Sequence, residues 1–242
     1  MTLARPPRLP GGGDPGTNEA LALEGTGPYW EVASVAGYFK CSGWAQTPAP
    51  GSLHLAGGSD TAYMLLGCRN LRTGKCCDAG IFLTSAGQVW DLAVFPNDPA
   101  KPGHGWLDRP IHRPAGSALY LVLETLRNAL RLTAIDPATW LTVGTLEQTF
   151  DSAWGLNAAD PSISLYRVTS LAQQPENLNS GSWFEAARWD KVYVYRKTGY
   201  GLWTAGRTSR TVKYPAQGPA VSVAIPDGGH YFAERVDIHL DR

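Results

Sequence analysis

The sequence predicts an all-β protein: a two-sheet antiparallel β-sandwich of jelly-roll type. Three observations carry that expectation. Short runs of aliphatic, aromatic and β-branched residues recur along the 242 residues, separated by turn residues. These runs do not alternate with amphipathic helical stretches, which a parallel βαβ sheet requires. The composition agrees, because 27 Gly and 18 Pro beside 9 Trp and 10 Tyr describe a chain rich in turns and bulky core fillers.

The elements follow in chain order. Residues 1–28 hold Pro6, Pro7, Pro10, Gly11, Gly12, Gly13, Pro15 and Gly16, which support neither helix nor ladder, so they read as a flexible N-terminal arm. Residues 29–242 then read as one sandwich domain. Tyr29–Tyr38 and the nearly continuous apolar run Thr61–Cys68 are strand candidates. Ala79–Thr84 and Gln88–Phe95 flank Ser85-Ala86-Gly87 as a hairpin, and Leu119–Glu124 with Ala129–Ile135 form a second. In the return strand Leu130, Leu132 and Ala134 share one face. Thr145–Trp154 is the one expected helix, because Leu146, Phe150 and Ala153 fall at helical spacing behind a Thr145/Gln148 capping pattern. Ser162–Ser170, Lys191–Arg196, Val221–Ile225 and Arg235–Leu240 complete the strands, the last with Val236, Ile238 and Leu240 inward.

Composition narrows the function. Lys+Arg and Asp+Glu are both 21, so bulk electrostatic binding of nucleic acid is disfavoured. Hydrophobic residues make up 43% and charged residues 17%, the balance of a chain with a packed core. No apolar run is long enough for a membrane helix, and no secretory signal stands at the N-terminus as written. The scarcity of Lys and the aromatic richness lean towards an extracellular or surface setting. Cys41, Cys68, Cys76 and Cys77 read as structural, either as a disulfide that joins Cys68 to one of the adjacent pair or as buried thiols. No nucleotide-binding string, serine-nucleophile elbow or Cys-x-x-Cys metal pair is present, so no cofactor is implied.

Several segments are similar to the concanavalin A-like lectin/glucanase superfamily: Ala62-Tyr63-Met64-Leu65-Leu66-Gly67, Asp78-Ala79-Gly80-Ile81-Phe82, Gln88-Val89-Trp90, Leu119–Glu124 and Gly181-Ser182-Trp183-Phe184. The resemblance implies the sandwich and covers lectins, glycoside hydrolases, lyases and acid peptidases. The Glu-x-Asp metal pair of legume-type lectins and the Glu-x-Asp-x-x-Glu string of glucanases are both missing. Glutamic peptidases of this architecture use a Gln and a Glu on one sheet, which would cast Gln88 and Glu124 in those roles.

The expected function is therefore non-catalytic binding of a glycan or glycosylated surface, because sugar rings stack on aromatic faces. Trp106, Arg109, Tyr193, Tyr195 and Trp203 are the ligand-binding candidates. Tyr193 and Tyr195 share a strand face, and Trp106 and Arg109 lie in His104–Arg113, read as a Pro/Gly-rich loop between the two hairpins, whose His104, Asp108 and His112 also form a candidate metal set. An enzyme on the same fold is the alternative, a glycan hydrolase or lyase or an acid peptidase with Glu124 as acid/base, since a carboxyl at the end of the apolar Leu119–Leu123 run is a candidate for desolvation. A third alternative is an assembly protein or homo-oligomer whose arm docks on a neighbouring subunit.

Overall fold

The computed structural model describes residues 27–85, 87, 89–97, 107–158, 160–226 and 230–240. Among them are sixteen strands. They are β1 (Tyr29–Ser34), β2 (Lys40–Gln46), β3 (Leu53–His54), β4 (Thr61–Asn70), β5 (Cys76–Thr84), β6 (Val89–Asn97), β7 (Leu107–Pro114) and β8 (Ala118–Leu126), then β9 (Ala129–Ile135), β10 (Thr142–Thr149), β11 (Ile163–Ala172), β12 (Trp183–Arg196), β13 (Gly199–Leu202), β14 (Thr208–Tyr214), β15 (Val221–Ala224) and β16 (Glu234–His239). One sheet runs β14-β1-β11-β4-β5-β6-β7; the other runs β10-β9-β8-β2-β12-β16-β15, with β3 and β13 added to β12. The two antiparallel sheets stack as a sandwich of the concanavalin-like type. No helix among the described residues is long and apolar enough to cross a membrane.

Period-2 alternation builds the interior. Ala62, Met64, Leu66 and Cys68 of β4 and Cys77, Ala79, Ile81 and Leu83 of β5 face inward, against Leu119, Leu121 and Leu123 of β8 and Leu130 and Leu132 of β9. Each fully buried leucine contributes about 1.5–3 kcal/mol, so this layer is the principal source of stability. The seven-stranded sheet is buried on its other face too. There Tyr29, Ala33, Tyr63, Leu65, Phe82, Phe95, Tyr166 and Val168 form a second cluster. That explains why β4 and β5 read as continuous apolar runs rather than alternating ones.

One ion pair is sealed inside the sandwich. Arg167 of β11 donates from Nε and Nη2 to the two carboxylate oxygens of Glu234 on β16, at 2.8 and 2.7 Å. Trp30 Nε1 donates to the same carboxylate at 2.8 Å. The Arg167 guanidinium also lies 5.3 Å from the centre of the Trp203 ring. The pair thus ties one sheet to the other through a bidentate contact.

The two expected hairpins are present as β5–β6 and β8–β9. The expected helix at Thr145–Trp154 is replaced by the end of β10 and a single 3-10 turn over Ser152–Trp154, which Asp151 caps through its side chain. Thr145–Thr149 pairs residue by residue with Ala129–Thr133, so tertiary pairing overrides a helical spacing that rests on only three apolar residues. The segment Leu107–Arg113, expected to be loop, is edge strand β7, where Pro110 and Pro114 cost no interior ladder. All four cysteines are free and buried. Cys68 and Cys77 face each other across β4 and β5, and burial pushes both thiols well up, so they act as small apolar fillers. Residues 1–26 of the expected arm lie outside the described residues. Its last residue, Pro28, already joins the sheet by accepting from the Leu171 amide at 3.0 Å.

Candidate ligand cleft on the nine-stranded sheet

The outward face of β2, β8 and β12 carries an ordered grid of side chains. Small residues on β2 face the core (Cys41, Gly43, Ala45), which leaves Ser42, Trp44 and Gln46 outward. In register, Trp44 lies between Tyr120 of β8 and Asp190 of β12, and Gln46 lies between Ala118 and Arg188. Beside this grid opens a cavity of about 700 Å³, lined among others by Trp44, Gln46, Arg188, Asp190, Lys191, Phe232 and Arg235. That volume falls in the range of small-molecule sites, and its lining joins aromatic walls to convergent polar groups.

A bulge shapes the cleft. The β2–β12 register shifts between Asp190 and Tyr193, and Lys191 takes a left-handed backbone with φ of 48°. Ala186, at a second shift in β12, has φ of 61°. Such conformations cost a non-glycine residue of order 1 kcal/mol or more and concentrate at functional sites. Here the bulge is pinned, because the Val192 amide donates to Phe232 O at 2.9 Å and Val192 O accepts from the Trp203 amide at 2.8 Å. Asp190 and Lys191 therefore project into solvent at the cleft, while Trp189 stays in the core.

Next to the cleft stands an aromatic cluster. Trp44, Tyr120 and Trp140 meet edge to face, with all three pairs of ring centres 5.8 Å apart. Trp140, in the β9–β10 loop, is 61% exposed, and its backbone is left-handed with φ of 58°. A bulky residue pays for that conformation. The turn is fixed by a 2.7 Å hydrogen bond from the Trp140 amide to Asp136 O. A hydroxyl chain, Tyr120 to Ser42 at 2.7 Å and Ser42 to Tyr195 at 3.0 Å, continues the polar surface.

The sequence-derived candidates divide. Tyr193 and Tyr195 do lie on this outward face, in contact with the 70%-exposed Tyr200 at 6.1 and 5.3 Å. Trp203 is a correction: it is fully buried and donates from Nε1 to Thr208, so it fills the core and offers no face to a ligand. Arg109 stands on the edge of the opposite sheet, exposed, donating to Thr145 O at 3.1 Å, and is not brought together with the tyrosines. Trp106, His104 and Gln88 lie outside the described residues. Glu124 is not the desolvated acid its strand position suggested. It is outward and half-buried, 3.9 Å from Arg131, which pairs more closely with Glu147 at 2.9 Å. His112 sits 3.7 Å from Asp91, and no group of three metal-binding side chains occurs among the described residues. Trp44 and Trp140 were not anticipated.

A second polar centre lies on the outer face of the seven-stranded sheet. Asp78, Gly67 and Tyr166 stand side by side on β5, β4 and β11. The Tyr166 ring lies over Gly67, where an added Cβ would come within 2.2 Å of it, and so reaches towards Asp78. Burial pushes the Asp78 carboxyl up to about 7, with the Tyr166 hydroxyl and the Arg69 charge opposing the rise. The Tyr166 hydroxyl is directed at the Asp78 carboxyl, while Asp78 Oδ1 and Arg69 Nη2 are buried with no hydrogen-bond partner. Glu31, also buried, is paired with Arg210 at 2.9 Å and lies 3.8 Å from Arg69.

No family model and no curated protein sequence matches the chain. Solved structures do share its fold. A Scytalido-glutamic peptidase bound to a peptide-based transition-state analogue aligns with a TM-score of 0.56 at 8% identity, covering 88% of this chain and 98% of that one. SCP-B, an eqolisin-family peptidase in complex with the tripeptide Ala-Ile-His, aligns over the same shares with a TM-score of 0.57 and 8% identity. A toad ovary galectin in complex with thio-digalactose covers 59% of this chain and 93% of that one at 10% identity, with a TM-score of only 0.38. At these identities the likeness to the peptidases establishes the sandwich architecture.

Proposed function

We propose that the protein binds glycans in the cleft on its nine-stranded sheet. The observation that carries this reading is the 700 Å³ cavity walled by Trp44 and fringed by Gln46, Arg188, Asp190 and Arg235. An aromatic wall takes the C–H face of a sugar ring, and the amide, carboxylate and guanidinium groups around it match hydroxyls in both donor and acceptor directions. Trp140 extends the platform beyond the cleft. The test is a glycan-array screen followed by titration of the best ligand. Trp44→Ala is expected to weaken binding at least tenfold, in line with about 1.5 kcal/mol or more for losing a buried aromatic anchor. Absence of binding to every glycan, or binding indifferent to Trp44→Ala, overturns the proposal.

A second reading is favoured by the Asp78 centre. Two peptidases share the fold, and Asp78 keeps its proton to about pH 7 beside the Tyr166 hydroxyl. A protonated carboxyl in such a place suits proton donation to the leaving amine of a peptide bond. The measurement is cleavage of denatured protein substrates between pH 3 and pH 7. On this reading Asp78→Asn lowers the rate by 100-fold or more, within the usual range for removing a general acid. A wild-type protein that cleaves nothing over that range excludes it.

A further inference from the structure

The charges around the cleft say which kind of glycan it suits. Asp190 Oδ1 already accepts the Lys191 amide at 2.8 Å, and Arg235 Nε is held by Asp237 at 3.0 Å. Glu234, in the floor, is consumed by Arg167 and Trp30. Arg188 and Lys191 are both exposed, and neither has an ion pair among the described residues. Asp227, which follows Pro226 in the sequence, lies outside the described residues. Asp190 keeps its negative charge, so outside ion pairs the described cleft side chains Arg188, Lys191 and Asp190 carry one net positive charge, and Lys191 is presented by a strained, hydrogen-bonded bulge rather than by a free loop. Gln46 spends its amide nitrogen on Gly116 O at 2.7 Å, which leaves its carbonyl to accept from a hydroxyl.

We infer that the cleft selects carboxylated saccharides, with a uronate ring stacked on Trp44 and its carboxylate held by Arg188 and Lys191. This inference rests on the glycan-binding reading and adds ligand charge to it. A guanidinium recognises a carboxylate through two parallel hydrogen bonds, and an ammonium adds a compact charge from the side. Trp140 provides the next platform along the sheet, so a short oligomer fits better than a single sugar.

The experiment compares galacturonic acid oligomers of three to six units, the same oligomers as methyl esters, and sulfated oligosaccharides of equal length, by calorimetric titration at low and high salt. The free acids are expected to bind about tenfold or more tighter than the esters at low salt, with the preference shrinking as salt rises. Arg188→Ala and Lys191→Gln each weaken free-acid binding more than ester binding, and so reduce that preference. Both side chains are exposed, and circular dichroism checks that the variants fold. Equal affinity for acid and ester overturns the inference while leaving glycan binding intact, and so does tighter binding of the sulfated series. Failure of every saccharide to bind overturns the underlying reading as well.

Discussion

Replacing Glu234 with Ala is expected to destabilise the protein by about 3–5 kcal/mol, because it strands the Arg167 guanidinium in the core with no counter-charge. Arg167 is fully buried between the sheets, and its only anionic partner among the described residues is Glu234. Its Nη1 already lacks a hydrogen-bond partner, so the site has no reserve acceptor. The Trp30 indole loses its acceptor in the same step. For a chain of this length the loss corresponds to a fall in Tm of roughly 6–20 °C. Denaturant titration of Glu234→Ala measures it directly. The partner experiment is the double variant Arg167→Met/Glu234→Leu, which removes both charges and keeps apolar volume. It is expected to recover most of the loss, since a buried pair is costly to break but of small net value. A single variant that costs less than 1 kcal/mol would show that water reaches Arg167 and that the pair does not lock the sheets.

The sandwich was legible because alternation and turn residues agree along most of the chain. Leu119, Leu121 and Leu123 alternate with outward residues, and Ala129–Ile135 answers them after a two-residue turn at Arg127 and Asn128, with Asn128 in the left-handed region at φ of 54°. Legibility failed where local signals were weak or shared. Strand β2 hides its core face behind Cys41, Gly43 and Ala45, too small to register as an apolar row. Strand β7 carries two prolines that only an edge position tolerates, and edge position is a property of the whole sheet. From β10 into the turn that follows it, the spacing of Leu146, Phe150 and Ala153 imitates a helix, while the β-branched Thr142, Val143 and Thr145 point to the strand that forms.

The site was less readable for a different reason. A tryptophan is informative only through its neighbours across the sheet, and these come from distant sequence. Trp203 looks like part of a tyrosine strip from its position after Tyr200, yet the β12–β13 hairpin ends at Leu202 and Trp203 turns into the core over Arg167. Trp44 and Trp140 lie almost a hundred residues apart and meet only because β2, β8 and β9 are adjacent. Asp78 did leave a signal. It is a lone carboxylate inside the run Cys76–Phe82, whose neighbours are buried on both faces, and a strand of that kind gives an acid no exposed side to occupy.

Asp78→Asn is expected to change the pH dependence of stability more than its value in acid. The carboxyl ionises near 3.8 when unperturbed and near 7 in the folded protein, where burial is the main cause. Below about pH 4 it is neutral in both states and adds no pH dependence. Between about pH 4 and pH 7 the unfolded chain releases the proton that the folded chain keeps, so stability falls as pH rises, by up to about 1.4 kcal/mol per unit. Above pH 7 the folded protein carries the full cost of an ionised carboxylate in that setting, on the order of 4 kcal/mol. Asparagine has the shape of the neutral acid and never ionises. The variant and wild-type free energies should therefore lie close together at pH 4 and separate towards pH 8, with the variant the more stable by a few kcal/mol. Denaturant titrations at half-unit steps across that range give the difference curve, in which titrations common to both proteins cancel. Parallel curves from pH 4 to pH 8 would mean that Asp78 ionises normally. In that case the unpartnered Oδ1 is reached by solvent, and the general-acid reading loses its physical basis with it.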